Sequence, residues 1–596
     1  MTALSDLAFL SDSQTAALVD RAGSIVWYCP GRFDAPSAFG SLLDPDAGHW
    51  RITPSGPATV KRQYERDSLV LRTEFDTAAG AVTLTDLLAI QPGERGHELG
   101  REVPRVLVRL VEGRRGRVPI ELEFAPRFEY GLTIPRFDVE GSTGRAIAGP
   151  FGLLLTGDVP LEGRGDRVTA RFELGEGERA TFALNAWDPN TEPQPEPPNG
   201  AALLDATLDS WTSWMEPHRS YDGIAVDLVR RSALVLQGLT DARTGAVVAA
   251  ATTSLPELVG GDANWDYRFA WLRDLSFVMR ALWVAACPDE AEEFLRFLSQ
   301  SLGRLDNRHV PIVLGSDGRR DLGEHELTHL AGYQGSRPVR IGNQASRQRQ
   351  LDVLGEVLDS AHLLRDAIGS FSEETRELLV EFAERAARDW RQPDSGMWEA
   401  RDRERQYTSA KVMCWVALDR AIELGKRLGN DLPIDRWRKE RDEIRRTVLA
   451  DAWSDRAGAF AGALGSDDLD ASVLLMPLVR FVPADDPRMA ATIRQIRERL
   501  TSGPLVHRWD GDTNGFLLCS YWLSECEVLL GERDAAERRF EALNSLANDV
   551  GLLAEMAAPG SGEMIGNVPQ AFSHVGLVNA AWRLSSADEP DEAGPK

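Results

Sequence analysis

The chain reads as a two-part molecule, a multidomain β + α protein. An N-terminal antiparallel β-sandwich (residues 1–190) is followed by an (α/α)6 barrel (residues 221–586). Three observations predict this. Apolar residues recur with period two up to about residue 190 and with a helical period from about 221. The stretch "DPNTEPQPEPPNG" (188–200), rich in proline and acid and without apolar residues, separates the two regimes and predicts a linker over 191–220. Within the second regime, helical segments apolar on most sides alternate with segments that carry a single apolar stripe. The first kind is buried and the second lies on a surface, so strict alternation predicts two concentric layers.

In the first part, "RVLVRLVEG" (105–113) and "RVTARFEL" (167–174) alternate apolar and polar residues. "LVLRTEFDTAAGAVTLTDLL" (69–88) predicts two strands around a turn at Thr77–Gly80. In the second part, "FAWLRDLSFVMRALWVAA", "TSAKVMCWVALDRAIEL", "LDASVLLMPLVRFV", "FLLCSYWLSECEVLL" and "QAFSHVGLVNAAWRL" predict inner helices. Charged segments such as "PRMAATIRQIRERL" lie between them. Its stripe is Met489, Ile493, Ile496 and Leu500, with Asp486 as N-cap and Pro487 at the first helical position. A solenoid or an irregular bundle is the alternative, but a solenoid needs a repeated motif and none is found. Residues 587–596 are expected to be a disordered tail.

The charge of the 596-residue chain is −25, from 92 acidic and 67 basic residues. That disfavours nucleic acid and anionic membrane as partners, since both require a positive surface. No run approaches the ~18 apolar residues of a membrane span. The start "MTALSDLAFLSDSQ" lacks a basic region and a long apolar core, so no signal peptide is expected. The five cysteines (29, 287, 414, 519, 526) form no CxxC pair, which fits reduced thiols in the cytoplasm.

Unusual residues gather in the connections that precede inner helices. "NWDYRFAWLRD" (264–274), "GYQGSRPVRIGN" (332–343), "SGMWEARD" (395–402), and "GLLAEM" (551–556) with "GNVPQ" (566–570) would converge on one mouth. That mouth would hold Asp274, Glu399 and Glu555, the arginines Arg273, Arg340 and Arg401, and the rings of Trp265, Tyr267, Trp271, Tyr333 and Trp398. Rings cover the apolar faces of a pyranose, while arginine and carboxylate bond its hydroxyls. Glycoside hydrolysis needs two carboxyl groups, and two glutamates distant in the chain would meet that need. Taken singly, each has a plainer reading: Trp398–Glu399 as a packing ring beside a capping acid, Arg273–Asp274 as a surface ion pair, Glu555 as a solvated acid. "HELTH" (325–329) fits the H-E-x-x-H zinc pattern. Glycines 323, 332 and 335 and Pro338 crowd it and no third ligand follows, so no metal site is expected. No phosphate-cradling motif is present and no cofactor is expected.

The segments "FLSDSQTAALVDRAGSIVWYCPGRFDAPSAFGSLLD", "NWDYRFAWLRD", "RPVRIGNQASRQRQLDVLGEVLDS", "GMWEAR", "SAKVMCWVALDRAI" and "GNVPQAFSHVGLVNAA" resemble glycoside hydrolase family 15, the glucoamylase and bacterial trehalase-like group. The resemblance spans nearly the whole chain. It implies hydrolysis of terminal α-glucosides in one displacement with inversion, releasing β-glucose. It implies Glu399 as general acid and Glu555 as general base. Arg273 and Asp274 would hold hydroxyls of the terminal glucose, Tyr267 and Trp271 would line that subsite, and Arg340, Trp398 and Arg401 would be further sugar contacts. Glu399 is expected to be kept protonated by Trp398 and partial burial, and Glu555 to be ionised in a donor-rich setting. The two carboxyls should stand ~6.5–9.5 Å apart. "TTSLPE" (252–257) and "LDASVLLMPLVRFVPADDPR" (469–488) point towards the trehalase-like members and hence to α,α-trehalose. Short α-1,4 and α-1,6 gluco-oligosaccharides are the alternative substrates, and the partner is in either case a small sugar; the residues set no oligomeric state. Three departures bear on specificity. Met556 stands where a second glutamate is frequent, Thr513–Asn514–Gly515 replaces Glu–Gly–Thr, and Val568 replaces phenylalanine. A sugar-binding protein that has lost its chemistry, with Met556 marking the loss, is the alternative of another class.

Overall fold

The computed structural model describes residues 2–217, 221–284, 290–303 and 310–586. The expected tail and Cys287 lie outside the described residues. An antiparallel β region fills the first part and helices fill the second. One strand organises the β region. Val106–Ala125 runs for 20 residues, and its first half pairs with Gly80–Leu88 and Arg179–Trp187. Its second half pairs with His49–Pro54 and Val168–Gly175. The strand thus passes from one layer into the other. Gly116 sits at the crossing with φ +68°, and a Cβ there would lie 2.3 Å from the Ala79 carbonyl oxygen, so a side chain is excluded. The hairpin expected at Thr77–Gly80 forms between Leu71–Thr77 and Gly80–Leu88 with Thr77 opposite Gly80.

Thirteen helices are described: α1 (Gly200–Met215), α2 (Val226–Gly238), α3 (Leu272–Val284), α4 (Glu290–Leu302), α5 (Asp352–Leu363), α6 (Glu373–Asp389), α7 (Thr408–Leu428), α8 (Ile434–Asp451), α9 (Leu475–Leu478), α10 (Pro487–Arg499), α11 (Leu517–Leu529), α12 (Arg533–Asn544) and α13 (Ala571–Ser585). Among the described residues α3 packs on α5, α5 on α7, and α7 on the short α9 with its 3-10 lead-in Ala471–Leu474. That element packs on α11, α11 on α13, and α13 returns to α3. The charged helices α4, α6, α8, α10 and α12 pack outside this cycle, as α2 does against α13. In α10 the Asp486 side chain accepts from the amides of Arg488 and Met489, and Met489, Ile493, Ile496 and Leu500 are buried.

Two expectations are corrected. The stretch 191–220, read as a linker, contains α1: Asn199 caps it by accepting from the Ala202 amide, and Trp211 and Trp214 are buried. Its apolar residues are spaced for a helix, but the proline-rich stretch just before it dominates the composition of the window. The third of the predicted inner segments, "LDASVLLMPLVRFV", forms only one short helix with a 3-10 turn, because Pro477 has no amide to donate to a continuous helix.

The two parts share one hydrophobic core. The Trp27 indole donates to the Ala251 carbonyl (2.9 Å), and Ser11 Oγ donates to that of Gly238 (2.6 Å). Arg268 reaches from the helical part to the Ala35 carbonyl (3.0 Å) and the Tyr130 hydroxyl (3.0 Å), and is clamped by Asp266 at 2.7 Å. Alternation along 265–268 makes this contact functional. Asp266 and Arg268 anchor towards the β region, while Trp265 and Tyr267 face the cavity described next.

No helix among the described residues is long and apolar enough to cross a membrane.

Candidate active site

A cavity of about 300 Å³ opens where the connections to the inner helices meet. Its walls include Glu399, Glu555, Arg273, Asp274, Trp271 and Tyr267. Trp265, Trp398 and Arg401 complete the sequence-predicted set that lines it. Two predicted members stand elsewhere. Arg340 is not on the wall: its guanidinium donates to the Asp262 (2.7 Å) and Asn264 (3.2 Å) carbonyls and packs over the Trp265 ring, 4.4 Å from its centroid. In this structure it braces the loop that carries Trp265. Tyr333 is buried away from the wall. Arg401 reaches the wall but its guanidinium is held by Glu324 (2.9 Å) and stacks on Trp265 at 3.7 Å.

Arg273 and Asp274 lie in the first turn of α3, directly after the two-residue strand Ala270–Trp271, which pairs with Val313–Leu314. Both side chains are buried, and burial pushes the Asp274 carboxyl up to about 7, with the Arg273 charge opposing that rise. Arg273 donates to Glu399 Oε1 (3.0 Å) and Gln350 Oε1 (3.1 Å). Asp274 and Asp352 stand at 3.9 and 3.8 Å from the same guanidinium.

Glu399 occupies the loop between α6 and α7. A bridge between Asp394 and Arg405, with reciprocal 2.9 Å bonds, closes the neck of this loop. Glu399 adopts φ +60°, a region costly for a residue with a Cβ, of order 1–3 kcal/mol. The surroundings hold it there. Its amide donates to the Gly396 carbonyl (3.1 Å), and its carbonyl accepts from Gln348 Nε2 (3.1 Å). The Trp398 indole donates to Asp470 (2.8 Å), and its ring packs edge-on to Phe516 at 5.3 Å.

Glu555 immediately precedes Met556–Ala557, the central strand of a small sheet with Gly515–Phe516 and Met564–Ile565. Its Oε1 accepts from the Tyr267 hydroxyl at 2.9 Å, whereas the buried Oε2 has no protein partner among the described residues. Gly566, at φ +82°, lets the chain pass under this carboxyl, since a Cβ there would lie 2.5 Å from Oε2. Burial raises Glu555 to about 8, helped by the nearby Glu257 carboxylate and opposed by Arg508 and by the Tyr267 hydrogen bond. Met556 is buried in the core and is not on the cavity wall, so its presence leaves the carboxyl pair intact.

The expected surroundings of the two carboxyls are therefore corrected. Glu399 is paired with a guanidinium rather than shielded by Trp398, and Glu555 is buried with one donor rather than set among several. Chain neighbours misled here because Trp398 turns its polar edge to Asp470, a residue remote in sequence.

Residues the sequence reading missed also line the wall: Glu257, Arg508, Trp509, Phe516, Gln570 and Phe572. The rule applied to four connections extends to the one before α11 (500–516) and would have found Arg508, Trp509 and Phe516. Glu257 carries no comparable signal. "HELTH" forms no helix: His325–Glu326 is a strand paired with Arg340–Ile341, and His329 bonds the Tyr130 carbonyl (2.9 Å).

A closed helical cycle with two carboxyls, aromatic walls and a buried Arg–Asp pair in one cleft defines a glycosidase-like site. Residues 223–582 match the model of glycosyl hydrolases family 15, and residues 1–155 match that of the trehalase-like N-terminal region. The chain belongs to glycosyl hydrolase family 15. It is 36% identical to a trehalase of Mycolicibacterium smegmatis over 98% of this chain and 92% of that one. It is 37% identical to a trehalase of Mycobacterium tuberculosis (98% and 90%) and 32% identical to one of Thermoplasma volcanium (97% and 93%). A bacterial glucoamylase complexed with acarbose shares the fold, with a TM-score of 0.73 at 14% identity over 99% of this chain and 96% of that one. The protein is thus a glycoside hydrolase of an inverting family, with an N-terminal β region and a helical C-terminal region.

Proposed function

We propose that the protein hydrolyses α,α-trehalose to two glucose molecules, with Glu399 as general acid and Glu555 as general base. The observation that carries this reading is the placement of both carboxyls on the wall of one 300 Å³ cavity, each gripped by a different polar partner, Arg273 and Tyr267. The trehalase names of the full-length relatives support the substrate. We read the cycle of inner helices with its outer layer as an (α/α)6 barrel, with the β region packed on it as a sandwich.

In the proposed reaction one glucose lies against Trp271 and Tyr267, with hydroxyls on Arg273 and Asp274. Water held by Glu555 attacks the anomeric carbon from the face opposite the leaving sugar. The C1–O bond breaks, Glu399 gives its proton to the departing oxygen, and Glu555 takes one proton from the water. β-Glucose and a second glucose leave, and proton exchange with solvent resets both carboxyls. Sugar hydroxyls would take over donors of Arg273 and release Glu399 from the ion pair in which it starts. A raised Glu555 is the stronger base once ionised.

The burial of Glu555 also favours one rival assignment, in which Glu555 is the acid and the ion-paired Glu399 the base. Either way, a panel of trehalose, maltose, isomaltose, kojibiose, nigerose and starch tests the substrate, and NMR of the first-formed anomer tests inversion. Trehalose is expected to be the best substrate, with β-glucose appearing first. Faster turnover of maltose or starch would replace the trehalose reading, and sugar binding without glucose release would make the protein a binding protein.

A further inference from the structure

Four hydrogen bonds close a ring around Glu399. Arg273 donates through Nη2 to Glu399 Oε1 (3.0 Å) and through Nη1 to Gln350 Oε1 (3.1 Å). Gln350 Nε2 donates to Gln348 Oε1 (3.1 Å), and Gln348 Nε2 donates to the Glu399 carbonyl (3.1 Å). The side chain and the main chain of one residue are thus both tied back to a single guanidinium. The direction of the ring is fixed. A guanidinium only donates and a carbonyl only accepts, so each glutamine must receive on Oε1 and donate from Nε2. An ionised glutamate could not pass the bond on, and a lysine could not receive it. Spacing in the chain places the two amides. Gln348 has extended backbone (φ −76°, ψ 151°), in which residues i and i+2 share a side, and Arg349 between them turns to Glu404 (2.7 Å). The backbone of the same stretch moors the loop that carries Glu399. The Ser395 amide donates to the Arg349 carbonyl (2.9 Å), and the Leu351 amide donates to the Asp394 carboxyl (2.9 Å). Gln350 is buried and Gln348 half-buried, and neither is on the cavity wall where the sugar would lie.

We propose that Gln348 and Gln350 are positioning residues for Glu399, which keep its main chain at φ +60° when substrate draws Arg273 away from its carboxyl. The inference rests on the proposed catalytic role of Glu399. In the free enzyme the carboxyl is tied to Arg273 Nη2. Once sugar hydroxyls take over that donor, the carboxyl can turn to the glycosidic oxygen, and its aim depends on the main chain beneath it. A residue with a Cβ gains by relaxing from positive φ to an ordinary conformation, and that rotation would swing the carboxyl off target. The arm of the ring through Nη1, Gln350 and Gln348 does not use Nη2 and survives the exchange, so the Glu399 carbonyl stays pinned. The bond from the Glu399 amide to the Gly396 carbonyl holds the other side of the same residue. Backbone and side chain are thereby uncoupled: the carboxyl moves while its support does not.

Gln348→Met keeps the length of the side chain and removes both its donor and its acceptor. Its kcat on trehalose should fall by about ten- to a hundredfold, the scale of a misplacement of about 1 Å, with KM changed less than about twofold. A double-mutant cycle tells positioning from structure. In the Glu399→Gln background, Gln348→Met should lower the residual kcat by less than about twofold, because the group it aims no longer works. Equal losses in both backgrounds would overturn the inference, as would an unchanged kcat in the single variant or a loss carried by KM. α-Glucosyl fluoride, whose leaving group needs no proton, separates this from the acid assignment. With an acid at position 399, Glu399→Gln and Gln348→Met should both retain most of their turnover of the fluoride. A Glu399→Gln variant inactive on the fluoride would refute the acid role, while the cycle on trehalose still decides the positioning. Fluoride turnover spared by Glu399→Gln but lost in Gln348→Met would leave the acid role standing and overturn the inference. Should Gln348→Met not fold, Gln350→Glu takes its place. Its carboxylate accepts from Arg273 but cannot donate to Gln348, and the same cycle is read with the same criteria.

Discussion

Glu399 and Glu555 face one cavity from unlike supports. Glu399 rides on an irregular loop in a left-handed backbone conformation, pinned by Gly396, Gln348 and the Asp394–Arg405 bridge, and its carboxylate meets a guanidinium. Glu555 adjoins the central strand of a three-stranded sheet, buried, with one hydroxyl donor and one unpartnered oxygen. The difference teaches that identical side chains acquire distinct acid–base character from what surrounds them. Here a guanidinium lies against the Glu399 carboxyl, while burial raises that of Glu555.

The largest expected effect breaks the comparison at its centre. Glu399→Gln and Glu555→Gln should each lower kcat on trehalose by roughly 10²–10⁴-fold, the usual worth of a general acid or base. α-Glucosyl fluoride separates the roles, because fluoride leaves without being protonated. Glu399→Gln should retain most of its turnover of the fluoride, while Glu555→Gln should remain inactive on it. The reverse pattern would establish the rival assignment.

Tyr267→Phe sharpens the Glu555 side. It removes the hydrogen bond to Oε1, a charge-assisted bond worth about 1.5–3 kcal/mol, so kcat/KM should fall by about ten- to a hundredfold. The lost donor also raises Glu555 further above its already elevated position. Activity should therefore be lost on descending to a pH at which the parent still works. An acid limb that stays in place would detach Tyr267 from the base.

The wall of Glu399 is tested more gently by Trp398→Phe. The ring is retained against Phe516, but Asp470 loses its indole donor and keeps the amide and hydroxyl of Ser472. Burial already holds the Asp470 carboxyl high, and the indole counters this. A loss of about 1 kcal/mol in unfolding free energy and a few-fold lower kcat are expected, read by denaturant titration and trehalose kinetics.

The legible parts of the molecule are those specified by local pattern. The hairpin around Thr77–Gly80 and the stripe of α10 appear where periodicity placed them, because turn chemistry and one-sided burial act over a few residues. The aromatic and acidic residues of 265–274, 398–399 and 555 could be read because their connections lead into helices that must be inner. What escaped depends on contacts across long chain separations. The bend of Val106–Ala125 between layers follows from its partners, Gly80–Leu88 and His49–Pro54, and not from its own sequence. Glu257 has no local mark, since its meaning comes from Arg508, 251 residues away. Arg340 is the opposite case: an arginine in a sugar-binding neighbourhood whose Nη1 is already held by two backbone carbonyls.

The smallest kinetic effect follows from that last case. Arg340→Gln removes two hydrogen bonds to the 262–264 backbone and the cation stacked on Trp265. Those carbonyls are only partly shielded, so the cost falls mainly on the stability of the loop, about 1–2 kcal/mol. Trp265 is still sandwiched by Arg401 at 3.7 Å and anchored through Glu257, so the wall should persist. KM for trehalose should change less than about twofold while the thermal midpoint falls. A tenfold rise in KM with an unchanged midpoint would return Arg340 to the sugar, through the Nε and Nη2 donors that the two carbonyls do not use.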